Sequence, residues 1–178
     1  MYEFASAPEG CEHAATILFS GPSHHAARWA QEELAEHFGV GAHLWSVTSY
    51  AMLRDDAISV DRWNRLHPTE PPRRAKVSER LSQNDGPIVA VSDYMRAVPD
   101  QVSRWMPQSY TSLGTDGFGR SDTRVALRSF FEVDGPHVAV AVLAELANAG
   151  TIDVKVVSGA IKEYALDVDA TDPWHVDD

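Results

Sequence analysis

The sequence has a single cysteine, Cys11, among 178 residues. That excludes an internal disulfide and a zinc site built from several thiolates. It fits a reducing, cytoplasmic compartment. No apolar run approaches the ~18–20 residues of a membrane span. The first segment carries Glu3, Glu9 and Glu12 before any Lys or Arg, so the basic start of a secretory signal is missing. Basic residues are scarce: 15 Lys and Arg against 26 Asp and Glu leave a net charge of −11. General nucleic-acid binding needs clustered cations to displace counterions, and this balance argues against it. The short catalytic and phosphate-binding motifs are also missing. There is no Gly-Lys-Ser/Thr phosphate loop, no H-E-x-x-H and no C-x-x-C. His24 and His25 are adjacent, so they cannot share one helix face as a metal-binding pair would. Ser121, Asp122 and His137 have the residue types of a hydrolytic triad, but no G-x-S-x-G elbow surrounds Ser121. Cys11 has no compelling base beside it and reads as a buried or incidental thiol.

What is present is an ordinary apolar content, 44% of the residues. That is enough for one domain with its own core. The charge is uneven. Glu163, Asp167, Asp169, Asp172, Asp177 and Asp178 close the chain with no Lys or Arg among them. Residues 166–178 are therefore expected to form a solvated, flexible acidic tail, and its deletion from about Thr171 onward to leave the fold intact. The alternative is a docking strip for a basic partner. Arg73, Arg74, Lys76 and Arg80 follow Pro68, Pro71 and Pro72, and read as a solvated loop and helix face.

Strand and helix patterns alternate along the chain. ATILF (Ala15–Phe19) reads as a buried strand ended by Ser20-Gly21-Pro22. Ser23 is the expected cap of a helix to Phe38, with Ala27, Ala30, Leu34 and Phe38 inward and Gly39 as the stop. HLWSV (His43–Val47) is a second strand, and Ser49 opens a helix to Leu66. Val77–Leu81 is a short helix. IVAV (Ile88–Val91) is a third strand, apolar throughout, as when both sheet faces are covered. Val98–Trp105 is helical and Tyr110–Leu113 is a fourth strand. VAVAVL (Val138–Leu143) looks strand-like, yet Val138, Val142 and Leu146 are spaced by four. With Asp134 and Pro136 before it and Gly150 after, it is read as a helix. Asp153 opens a last helix to Tyr164. The order predicts a three-layer α/β/α sandwich on a mixed, mainly parallel sheet.

Two segments follow predicted strands, where open α/β sheets usually bind ligands. The first contains Ser92, Asp93, Tyr94 and Arg96. The second contains Asp116, Gly117, Phe118, Gly119, Arg120, Ser121, Asp122 and Arg124. Ser121 or Asp122 is the expected cap of the next helix. Three readings are open for the second segment. It is a rigid turn with Arg120 and Arg124 paired to Asp116 or Asp122, a contact for another polypeptide, or a site for a small anion. Tyr94, Arg96, Trp105 and Phe118 suit an interface, with core packing the alternative for Trp105 and Phe118.

SDYMRAVPDQV (Ser92–Val102) followed by LGTDGFGRSDTR (Leu113–Arg124) resembles the C-terminal domain of the homodimeric pyruvate dehydrogenase decarboxylating component. That family is the large bacterial thiamine-diphosphate enzyme of the transketolase-like superfamily. MYEFASAPEG (Met1–Gly10), VTSYAMLR (Val47–Arg54), RWNRLHP (Arg62–Pro68) and FEVD (Phe131–Asp134) agree in register. The likeness covers residues 1–165 and implies a transketolase C-terminal-domain-like fold, with Met1–Gly10 as its first strand. It also implies that thiamine diphosphate and Mg²⁺ are held by two preceding domains, through a Gly-Asp-Gly motif that is missing here. No catalytic, cofactor-binding or metal residue is then expected in this chain. The implied role is an assembly or dimerisation domain, or a split subunit. Its partners would be domains or chains carrying the cofactor site, in a homodimer or hetero-oligomer, with the acyltransferase component of the complex reached indirectly. Two alternatives stay open: a free-standing regulatory module for an anionic metabolite, and a subunit of a related two-carbon-transferring thiamine-diphosphate enzyme.

Overall fold

The structure is a computed structural model and describes residues 1–175; the end of the acidic segment, Val176–Asp178, lies outside the described residues. Five strands form one sheet: β1 (Tyr2–Ala5), β2 (His13–Phe19), β3 (Val40–Ser46), β4 (Ile88–Val91) and β5 (Tyr110–Leu113). Their order is β1-β3-β2-β4-β5, with β1 antiparallel to β3 and the other pairs parallel. The sheet is thus mixed and mainly parallel, as the alternating pattern predicts. β3 starts three residues earlier than the sequence reading placed it. Its whole length pairs with β2, from His13 opposite Val40 to Phe19 opposite Ser46. The ladder, rather than local composition, therefore sets its start.

Helices α1 (His24–Phe38), α5 (Gly135–Asn148) and α6 (Val154–Glu163) cover one face. There Ala27, Ala30 and Leu34 of α1 meet Ile17, Leu44 and Val89 of the sheet and Val138, Val142 and Leu143 of α5. Helices α2 (Tyr50–Leu66) and α3 (Lys76–Leu81), with a 3₁₀ helix at Pro99–Trp105, cover the other face. Leu18, Trp45, Ile88 and Ala90 bury their side chains there against Leu53, Val77, Leu81 and Val102. This is the three-layer sandwich, and the alternate residues of β2 and β4 divide between the two cores.

The strand-like VAVAVL run is helical, as its four-residue spacing predicts. Val138, Ala139, Val142, Leu143 and Leu146 are buried on the inner face. The Asp134 carboxylate accepts from the His137 backbone N–H at 3.2 Å, and Pro136 occupies the first turn. Ser49 caps α2 by accepting from Met52 N–H at 3.2 Å, and Asp153 caps α6 by accepting from Lys155 N–H at 2.8 Å.

Two local expectations are corrected. Ser23 does not cap α1; a 3₁₀ turn at Gly21–Ser23 precedes the helix, and the Ser23 hydroxyl is turned to another partner. Neither Ser121 nor Asp122 caps α4 (Arg124–Phe130); Thr123 does, accepting from Ala126 N–H at 3.3 Å. Val98–Trp105 is helical as expected, wound as a 3₁₀ helix from Pro99 to Trp105. In the basic cluster, Lys76 pairs with Asp56 and Arg73 stacks on the Trp63 ring at 3.7 Å.

Candidate functional site

β3 and β4 lie on opposite sides of β2, so the chain leaves the sheet in opposite directions at the carboxyl ends of β2 and β4. That switch point opens a crevice where open α/β sheets receive ligands. Ser20 follows β2 and Ser92 follows β4, and their hydroxyls share a buried hydrogen bond of 2.8 Å. Next to it the Ser23 hydroxyl donates to Asp93 Oδ1 at 3.0 Å. The two β-strand ends are thus tied by side chains as well as by the ladder.

The two segments picked out in the sequence meet here. Tyr94 N–H donates to the Ser92 hydroxyl at 3.1 Å. Thr115 N–H donates to the Tyr94 carbonyl at 3.0 Å, and its hydroxyl donates to the Asp93 carbonyl at 2.8 Å. Arg96 gives its backbone N–H at 3.3 Å and its Nε–H at 2.6 Å to the Asp116 carboxylate. Gly114 sits in the middle. A Cβ there would stand 2.6 Å from the Tyr94 carbonyl oxygen and 2.7 Å from Arg96 N, so only glycine lets the two backbones approach.

Beyond Asp116 the second segment opens outward. Gly117, with φ +104°, turns the chain under the carbonyl of Pro173. Pro173 is buried, and the Arg96 guanidinium lies 4.4 Å from the Trp174 ring centroid. The described end of the acidic segment is therefore in contact with the loop. Phe118 is 75% exposed, whereas Trp105 packs toward the α2-side core and donates its Nε1–H to Asp61. Arg120 stacks on Phe130 at 4.2 Å. Neither Arg120 nor Arg124 pairs with Asp116 or Asp122: Asp116 is taken by Arg96, and Asp122 accepts from Thr123 N–H at 2.6 Å.

A cavity of about 430 Å³ lies between this loop, α4 and the start of α1. Asp93, Thr115, Arg120, Arg124 and Arg128 supply its polar wall. Leu127, Phe131 and Val133 supply the apolar one, with Gly117 and Gly119 at the rim. Of the residues singled out in the sequence, Asp93, Gly117, Gly119, Arg120 and Arg124 line it, whereas Tyr94, Arg96, Asp116, Phe118, Ser121 and Asp122 do not, and Ser92 is buried. Pro22, Thr115, Leu127, Arg128 and Phe131 are not among the candidate site residues of the sequence; they become neighbours only once the strand order is known. The hydroxyls of Ser20, Ser23, Ser92 and Thr115 bond to one another, to Asp93 or to backbone groups, and none bonds a histidine. His137 lies 2.6 Å from Asp134, away from Ser121 and Asp122. Burial holds the Tyr50 and Tyr110 hydroxyls above their ordinary range, so neither ionises near neutral pH. The arrangement can hold an anion.

A mixed, mainly parallel sheet between two helical layers, with its crevice at the strand carboxyl ends, defines an α/β domain of the doubly covered class. The family model described as the transketolase-like TK C-terminal domain matches residues 1–134, and the chain belongs to that family. It is 42% identical over 174 residues to the pyruvate dehydrogenase E1 component of Pseudomonas aeruginosa, covering 97% of this chain and 20% of that protein. It is 45% identical over 166 residues to the pyruvate dehydrogenase E1 component of Escherichia coli K12, covering 93% and 18%. The chain thus spans about one fifth of the length of these relatives. A solved structure titled "Split gene transketolase, inactive beta4 tetramer" shares the fold, with a TM-score of 0.51 and 18% identity over 76% of this chain and 40% of that one.

Proposed function

We propose that the chain is a non-catalytic assembly domain or split subunit of a cytoplasmic 2-oxoacid dehydrogenase decarboxylating component. In this reading other domains or chains hold thiamine diphosphate and Mg²⁺ and decarboxylate pyruvate. This chain docks onto them in a homodimer or hetero-oligomer, and the acyltransferase component is reached only through them. The cofactor is left to those other domains because the sequence has no Gly-Asp-Gly motif of the kind the resemblance assigns to them. No step of the decarboxylation is assigned to this chain.

The observation that carries the reading is the placement of exposed apolar side chains. Tyr2 and Phe4 on β1, Met52 in the first turn of α2, Tyr94 and Met95 after β4 and Phe118 after β5 are 44% to 75% exposed. All belong to the carboxyl end of the parallel strands. β1 runs antiparallel, so Tyr2 lies opposite Ser46, the last residue of β3. Aromatic and Met side chains gathered at one end suit a surface made to be covered. The 42% and 45% identity to E1 components supports an E1-type setting for the domain.

The test supplies the preceding four fifths of the Pseudomonas aeruginosa E1 component in trans. The chain alone is expected to leave pyruvate untouched. With that partner it is expected to form a complex and raise turnover. Tyr94→Asp with Phe118→Asp should weaken association about thirtyfold, the effect of ~2 kcal/mol at an interface, and leave turnover at saturating partner unchanged. Absence of a complex overturns the reading. So does intact association with collapsed turnover.

A further inference from the structure

We propose that the cavity between the Gly117–Arg124 loop and α4 binds an organic phosphate monoester, its dianionic head among Arg120, Arg124 and Arg128 and its apolar body against Leu127, Phe131 and Val133. The first argument is charge. The protein carries −11 overall, yet three guanidinium groups and one carboxylate, Asp93, line this one cavity. Asp93 already accepts from Ser23. Arg96, at the neighbouring strand end, pairs with Asp116. Among the described residues none of Arg120, Arg124 and Arg128 pairs with a carboxylate. Arg62, Arg65, Arg74 and Arg80 also lack an acid among those residues, but none of them lines this cavity. Arg128 donates to the Pro22 carbonyl at 3.1 Å, Arg120 stacks on Phe130, and Arg124 makes neither kind of contact. Cations held together without partners repel one another, and a bound dianion removes that repulsion.

The second argument is shape. Arg124 and Arg128 are four apart, so they lie on one face of α4, and Arg120 reaches the same space from the loop. Planar guanidinium forks match tetrahedral phosphate oxygens two at a time, and three forks exceed what one carboxylate can accept. The volume of about 430 Å³ exceeds what a bare phosphate fills and lies within the ~300–1,000 Å³ of small-molecule sites. An apolar wall on one side and cations on the other call for a ligand with an anionic end and an apolar end.

This proposal does not rest on the assembly reading, and its test uses the chain alone. The isotopically labelled protein is titrated with phenyl phosphate, inorganic phosphate and phenylmalonate, and backbone amide shifts are followed by NMR. Phenyl phosphate is expected to shift Thr115, Gly117, Leu127 and Phe131 saturably, and inorganic phosphate to bind at least about tenfold more weakly. Arg124→Ala should weaken phenyl phosphate about tenfold or more, as loss of a charge-assisted pair does, with an unchanged melting temperature. Arg124→Lys should restore only part of that loss. Lack of saturable shifts at those amides overturns the proposal, as does equal affinity of wild type and Arg124→Ala. Tighter binding of phenylmalonate than of phenyl phosphate overturns the assignment of the head group. None of these results bears on whether the chain associates with E1 domains in trans.

Discussion

The segment after β5 has two halves that differ in how their charges are used. From Gly114 to Asp116 both polar side chains are engaged: Thr115 holds the backbone of Asp93 and Tyr94, and Asp116 holds Arg96 twice. From Gly117 to Arg124 the chain is exposed, and its two arginines meet no acid among the described residues. Both halves contain glycine and an acid, and both arginines of the segment fall in the second. A satisfied charge builds a scaffold, while an unsatisfied one is kept for something that arrives.

Substitutions that fall on one half and spare the other break or sharpen this contrast. Gly114→Val should have the largest effect, because its side chain would enter the space of the Tyr94 and Arg96 backbones. A loss of about 2–3 kcal/mol in denaturant unfolding is expected, as for overpacking against backbone that cannot yield. Asp116→Ala comes next. It strips Arg96 of its backbone and side-chain acceptor, but Arg96 is part-exposed and water replaces some of the loss. About 1–2 kcal/mol should disappear from the unfolding free energy, and Asp116→Asn should recover part of it. Trp174→Ala should cost least, about 0.5–1 kcal/mol, by removing the ring beneath the Arg96 guanidinium. A thermal melt identical to wild type would show that the Pro173–Trp174 contact carries no stability.

Much of the fold was legible in the sequence. The strand ATILF, the apolar IVAV run and the four-residue spacing of Val138, Val142 and Leu146 all led to the right elements. Local periodicity decided those cases. It did not decide where β3 starts, because the ladder with β2 is a long-range pairing. Caps were half-legible. Ser49, Asp134 and Asp153 cap as expected, but Ser23 is drawn away by Asp93 from 70 residues further along the chain. At the candidate site, the two strand-end segments were visible as motifs. Their mutual contact was not, since it depends on β5 lying beside β4. Arg128 was invisible for a related reason: only the packing of α4 over Pro22 brings it to the same cavity as Arg120.

The short reversed strand β1 has a consequence for how copies of this domain can meet. It covers the side of β3 that β2 leaves open, and it is only four residues long, with an irregular step between Glu3 and Ala5. Glu3 and His43 pair across it at 2.7 Å. At the opposite margin β5 is also four residues long, and the Pro99 carbonyl takes the Tyr110 hydroxyl. Neither margin offers the long, flat row of free peptide groups that lets one sheet continue into another. Growth by lateral strand addition is discouraged on both sides, so sheets of neighbouring copies are not expected to run on into one another.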